Sequence, residues 1–214
     1  MRKFTFSLLT VFNTMSAVNA QIKKGSNLIG GSIYYNSQKS DQTSGNSTQG
    51  TKNSGFGITP SYGKAIRDNL VIGATLNYGN SVNENYSPGN NTTTKNNSFG
   101  AGVFIRPYKN LGNSGFYLFL DGHLGANYSK AKFTAYENKG FDVSAGINPG
   151  ISFAITPKVH IETGLNNLFY AGYSSNKSTN MQPVYSTKSS GFNAGIGLGS
   201  STTWTVGVKF IFGS

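Results

Sequence analysis

The sequence predicts an all-β fold, an eight-stranded antiparallel up-and-down barrel, on three observations. From residue 27 onward apolar residues recur at every second position, which is the period of a strand. Clusters of Gly, Asn, Ser and Thr interrupt that alternation at intervals, as turns and connections do. The 28 glycines, 12 tyrosines and 15 phenylalanines, with only 12% charged residues, suit a sheet protein better than a helical bundle. A chain of 214 residues fits one domain.

Residues 1–20 read as a secretory signal peptide. Arg2 and Lys3 form a basic start, Phe4 to Phe12 is largely apolar, and Val18-Asn19-Ala20 is a small-residue cleavage site. The expected mature domain, 21–214, therefore begins at Gln21. Its first strand lies in 27–36. Segment 56–63 places Phe56, Ile58, Pro60 and Tyr62 on one face, and 70–79 does the same with Leu70, Ile72, Ala74, Leu76 and Tyr78. In 98–108 the apolar face is Phe99, Ala101, Val103 and Ile105, and in 115–128 it is Phe116, Leu118, Leu120, Leu124 and Ala126. Segment 141–153 separates Phe141, Val143, Ala145, Ile147, Pro149, Ile151 and Phe153 from an opposite face of Asp, Ser, Gly and Asn. Alternation in 159–171 slips near Asn166-Asn167, where a β-bulge would restore it. The closing segment, 190–212, is too long for a membrane strand of about 9–11 residues. Splitting it at Gly199-Ser200-Ser201 would give an odd strand count, so it reads as one long strand bulged near Ser200. Connections alternate: 37–53, 83–96, 129–139 and 173–189 read as long polar loops, whereas Arg67-Asp68-Asn69, Lys109 to Ser114 and Thr156-Pro157-Lys158 are short.

A soluble barrel also alternates, so residue size must decide which face meets lipid. The polar face is crowded with small residues: Gly57, Gly73, Gly100, Gly102, Gly125, Gly146, Gly150, Gly164 and Gly207, with Ser61, Thr75, Ser144 and Ser152. A water-facing surface has no reason to lack Lys and Glu, but the interior of an eight-stranded barrel is barely wide enough for side chains. The apolar face therefore points outward, into a membrane. No segment has the ~20 apolar residues of a spanning helix, which leaves the barrel as the only way across. Outward Tyr35, Tyr62, Tyr78, Phe99, Tyr128, Phe141, Phe153, Trp204, Phe210 and Phe212 gather toward strand ends, as interfacial aromatics do. Charges of both signs on the inner face, Arg106, Asp121, Asp142, Glu162 and Lys209, with Lys64 and His123 as candidates to join them, are expected to form a paired polar network in the lumen. The competing reading leaves several of them at strand ends in water.

Composition excludes several functions. There is no cysteine, hence no disulfide framework or thiolate metal site. Two histidines on different strands and scattered carboxylates match no metal-ligand spacing, so neither metal nor cofactor is expected. The net charge is +11, two units of it from Arg2 and Lys3, but no basic helix or basic-aromatic stripe points to nucleic acid. His123 and His160 form no Ser-His-Asp constellation visible in the sequence, and catalysis is not expected. Lys39, Lys52, Lys95, Lys130, Lys132, Lys139, Lys177 and Lys188 fall in the predicted loops, where they are candidate contacts for lipopolysaccharide phosphates.

With these strands assigned, the chain resembles the small outer-membrane β-barrel or porin-family domain of Bacteroidota, related in architecture to OmpX- and OmpA-type barrels. The features that carry the resemblance are an N-terminal strand soon after the cleavage site, Asn/Ser/Thr/Lys-rich connections, and the closing Gly191-Phe192-Asn193 to Gly199, then Thr205-Val206-Gly207-Val208-Lys209-Phe210-Ile211-Phe212. The resemblance implies residence in the cell outer membrane, short periplasmic turns, cell-surface loops, and recognition of the final aromatic strand by the membrane-insertion machinery. Expected partners are outer-membrane lipid and lipopolysaccharide, the insertion machinery and an unidentified extracellular ligand, for a monomer that binds no nucleic acid. The leading expectation for function is a structural or surface-interaction role, ahead of a narrow pore or small-solute carrier and of a lipid A-modifying enzyme.

Overall fold

The structure, a computed structural model, describes residues 22–44, 47–87, 89–133, 136–166, 168–181, 184–196 and 203–213. The signal segment 1–20 and the expected bulge at Ser200 lie outside the described residues. The described residues form ten strands: β1 (Asn27–Ser44), β2 (Ser47–Arg67), β3 (Leu70–Ser87), β4 (Asn90–Asn110), β5 (Phe116–Lys132), β6 (Tyr136–Thr156), β7 (Val159–Asn166), β8 (Phe169–Met181), β9 (Val184–Ile196) and β10 (Thr203–Phe212). All ladders are antiparallel. Each strand from β1 to β6 pairs with the next, β7 pairs with β10, and β10 returns to β1, closing an eight-membered ring. Strand β8 extends the β6 ladder beyond β7, and β9 pairs with β8, so this hairpin prolongs one side of the wall.

The irregularity expected at Asn166-Asn167 is the junction between β7 and β8. Gly150 pairs with Gly164, but Ile147, three residues along, pairs with Phe169, five residues along, so the β7–β8 side carries two extra residues. An even insertion keeps every side chain on its original face. Hence Ile161 below the junction and Tyr173 above it both point outward.

Strands of 17–21 residues are far longer than a membrane crossing requires. The segments expected to be loops at 37–53, 83–96, 129–139 and 173–189 are largely continuous ladder instead, paired out to Ser44–Ser47, Ser87–Asn90, Lys132–Glu137 and Met181–Val184. Backbone pairing carries these hairpins. Their polar side chains on both faces leave no period that marks a strand.

The outward face is apolar and bare. Ile33 is 76%, Leu76 61%, Phe99 61% and Val206 65% exposed. A continuous apolar surface of this kind belongs in lipid rather than water. Its upper margin is an aromatic belt running from strand to strand, Tyr35 opposite Phe56, then Tyr78 opposite Phe99, Tyr128 opposite Phe141, and Tyr173 opposite Phe192. Neighbouring rings touch, with centroids 5.9 Å apart for Phe56–Tyr78 and 5.7 Å for Phe99–Tyr128. At the lower margin Phe116 and Phe153 pair at 4.6 Å.

Side chains fill the short-turn end of the lumen. Ile22, Leu28, Val71, Phe104, Tyr108, Tyr117, Phe119 and Ile211 form a buried apolar core there. Residues 22–26 close it from below: the Ile22 amide donates to the Asn69 side-chain carbonyl (3.3 Å), the Asn69 amide donates to the Ile22 carbonyl (2.8 Å), and the Gly25 amide donates to the Ala65 carbonyl (2.8 Å). Asn69 turns the chain from β2 to β3 at φ 58°, a conformation asparagine tolerates better than most residues. Large rings fit in so narrow a lumen only because glycine faces them. The Phe119 ring lies over Gly150, where a Cβ would collide with both the ring tip and the Thr163 carbonyl. Gly150→Val is expected to cost about 1–3 kcal/mol through this overpacking, read as a lower urea midpoint for the heat-modifiable folded band. A midpoint unchanged from wild type would mean that the ring has room to move.

Candidate functional site

Above the apolar core the lumen is crossed by an ion-paired layer. Arg106 on β4 points inward between the Phe104 and Phe119 rings, its guanidinium carbon 5.1 Å and 4.6 Å from their centroids. Its Nε donates to Asp121 Oδ2 on β5 at 2.8 Å, and a terminal nitrogen also bonds Asp121. The other terminal nitrogen donates to Glu162 Oε2 on β7 at 2.6 Å. The Tyr108 hydroxyl donates to Glu162 Oε1 at 2.6 Å, so both oxygens of that carboxylate are held. The planar, forked guanidinium can bridge two carboxylates on two strands at once, which a lysine cannot. Lys209 on β10 is buried beside them and donates to the Ser61 hydroxyl. The layer thus holds two cations and two carboxylates and is electrically balanced.

One residue expected in this network, Asp142, and one candidate to join it, Lys64, lie elsewhere. Asp142 faces Asn127 and Ser174, whereas Asp121 faces Asn148, six residues along β6 from Asp142. Asp142 therefore shares the face of the network but stands well above it. Lys64 is exposed on the outward face, opposite Ile72, and belongs to the short-turn rim. His123 does approach the layer, with Nδ1 3.8 Å from Asp121 and 3.3 Å from the Asn148 amide nitrogen. Parity along β4 and β5 would have found the members that the sequence reading left out: Tyr108 and Phe104 share the face of Arg106, and Phe119 that of Asp121. On the layer rests a cavity of about 440 Å³, walled by neutral groups such as Thr59, Thr75, Asn77, Asn127 and Ser144.

Ser152 and His160 meet across the β6–β7 hairpin, Oγ to Nδ1 at 3.1 Å. A serine–histidine contact raises the question of nucleophilic chemistry, and its surroundings answer it. Ser152 is 0% and His160 1% exposed, and the imidazole stacks on Tyr117 with centroids 5.5 Å apart. No substrate reaches a nucleophile sealed in this way, and the carboxylate of Glu162 is committed to Arg106 and Tyr108.

All eight candidate lysines lie on the outward face of strands, two to four residues beyond the aromatic belt. Lys130, Lys139, Lys177 and Lys188 stand opposite one another in successive ladders across β5, β6, β8 and β9. Lys95 is opposite Lys132, and Lys39 opposite Lys52. Some have acidic company: Lys39 pairs with Asp41 (2.8 Å), Lys52 with Glu84 (3.7 Å), and Glu137 with both Lys130 (2.9 Å) and Lys139 (3.1 Å). Hydrogen bonds from Lys130 first and Lys139 second hold the Glu137 carboxyl below the usual carboxylate range. Among the described residues Lys95, Lys132, Lys177 and Lys188 form no ion pair, although Glu137 stands opposite Lys132 in the β5–β6 ladder.

No protein-family model matches the chain, and no curated protein does. Several solved structures resemble it, two of them small barrels. The outer membrane protein OprG from Pseudomonas aeruginosa superposes with a TM-score of 0.50 at 12% identity, over 90% of this chain and 98% of that one. Neisserial surface protein A gives 0.41 at 20% identity, over 88% and 98%. At such identities the likeness to OprG is one of fold, a small membrane β-barrel, and it agrees with the closed eight-membered ring and its apolar outer surface.

Proposed function

We propose that the chain is an outer-membrane protein with a filled lumen, whose role is structural or lies at the cell surface. In this reading the short turns face the periplasm and the extended hairpins stand outside, the usual orientation of such barrels. The observation that carries the reading is the ion-paired Arg106–Asp121–Glu162–Tyr108 layer across the lumen, with a buried apolar core beneath it. In this reading the two together leave no open path. Opening one would separate buried charges from their partners, at a cost of several kcal/mol. A catalytic step has no part in the reading, since the Ser152–His160 contact is enclosed. The expected result in planar bilayers is an absence of steady single-channel steps from the purified, folded protein.

The 440 Å³ cavity above the layer favours a second reading, a narrow pore or small-solute carrier that loads from the hairpin end. The same bilayer recording separates the two. Stable, reproducible steps from the unmodified protein would replace the first reading with the second.

A further inference from the structure

We infer that the outward lysines above the aromatic belt form a docking surface for the phosphorylated headgroup of an outer-leaflet glycolipid of the lipid A type. The inference rests on the orientation proposed above and adds the partner and the residues. Directly opposed like charges destabilise a sheet, yet this sheet opposes lysine to lysine at Lys95–Lys132, Lys130–Lys139, Lys139–Lys177 and Lys177–Lys188. One carboxylate, Glu137, pairs with Lys130 and Lys139 in the middle of that series and stands opposite Lys132 in the ladder, while Lys95, Lys177 and Lys188 are without one among the described residues. Such a surface is complementary to clustered anions rather than to a second copy of itself, which would bring lysine against lysine.

Height selects the kind of anion. The lysines lie two to four residues past Tyr128, Phe141, Tyr173 and Phe192 on the same face, and a tilted strand converts that to about 5–10 Å along the barrel axis. Interfacial aromatics mark the boundary of the acyl region, so ammonium groups at this height meet lipid headgroups. A lipid fits on both counts, with acyl chains along the exposed Leu124, Val143 and Phe192 and phosphates beside the lysines. A soluble anion would use only the charges.

The test uses the full, folded chain purified in detergent, with bis-phosphorylated lipid A and the same lipid stripped of phosphate as probes, and native mass spectrometry to count bound lipid. Lys95→Gln/Lys132→Gln/Lys177→Gln/Lys188→Gln is expected to bind phosphorylated lipid A roughly tenfold or more weakly, since each lysine near an anionic surface contributes separately. Binding of the stripped lipid should change little, and Lys64→Gln/Lys109→Gln/Lys158→Gln at the other rim should retain wild-type binding. If the fourfold variant does not fold, Lys177→Gln/Lys188→Gln is expected to give a smaller loss of the same selectivity. Equal retention by variant and wild type, or equal loss of both lipids, overturns the inference. The orientation has its own readout: Ser186→Cys, near the start of β9, should react with an impermeant maleimide on intact cells. Failure there defeats the proposed orientation, whereas lipid selectivity in detergent tests the lysines alone.

Discussion

Arg106→Met is expected to lower unfolding stability by about 3–5 kcal/mol, the range for removing one partner of a buried ion pair. Methionine approximates the length of the arginine stem and can keep some contact with Phe104 and Phe119, so the loss isolates the guanidinium. What remains is two carboxylates, both nearly inaccessible, with the Tyr108 hydroxyl on one of them and Lys209 committed to Ser61. Arg106→Lys should recover only part of the loss, because one ammonium cannot bond Asp121 and Glu162 with the geometry of the fork. Adding Asp121→Asn to Arg106→Met should also recover part of the loss, since it leaves the layer one cation, Lys209, and one carboxylate, Glu162. Urea unfolding in detergent, followed by heat-modifiable migration, measures all three. If Arg106→Met falls within about 1 kcal/mol of wild type, the layer is solvated and the argument for a stopped lumen fails with it.

How far such a layer can be read from sequence depends on what period two conveys. Alternation is visible where lipid lies on one side and a crowded lumen on the other, as in 141–153, and there the strands and the inward set were legible. Where the same strands rise out of the membrane, water bathes both faces. Asn90 to Asn96 and Tyr173 to Met181 then carry Ser, Thr and Asn on either side and read as loops, although their ladders are continuous. Parity fixes a face but not a height. Asp142 and Asp121 share the inner face, and only the β5–β6 register separates them by six residues. Lys64 fails more simply, because it has the parity of Tyr62 and the same rule sends it outward. The lysine series was invisible for the reason that Asp142 was misassigned: four residues spread from 130 to 188 become neighbours only through three registers that turn positions determine.

The apolar floor should be as sensitive as the charged layer above it, and Tyr117 tests it most sharply. Its side chain is 0% exposed, meets Tyr108 edge-on at 6.4 Å and stacks on His160 at 5.5 Å. Tyr117→Ala removes the ring from all of these contacts in a wall whose backbone is pinned by ladders on both sides, so the space cannot collapse. The expected cost is about 3–5 kcal/mol, as for other buried rings. Tyr117→Phe separates the ring from its hydroxyl. Among the described residues that hydroxyl has no hydrogen-bond partner, so its removal should leave stability within about 1 kcal/mol of wild type or raise it. The same urea series measures both. A large loss in Tyr117→Phe would mean that the hydroxyl is satisfied and that the floor is polar, in which case water reaches the lumen below Arg106. A small loss in Tyr117→Ala would mean that the β4–β5 wall closes over the gap, and a lumen that yields so easily could also admit a solute.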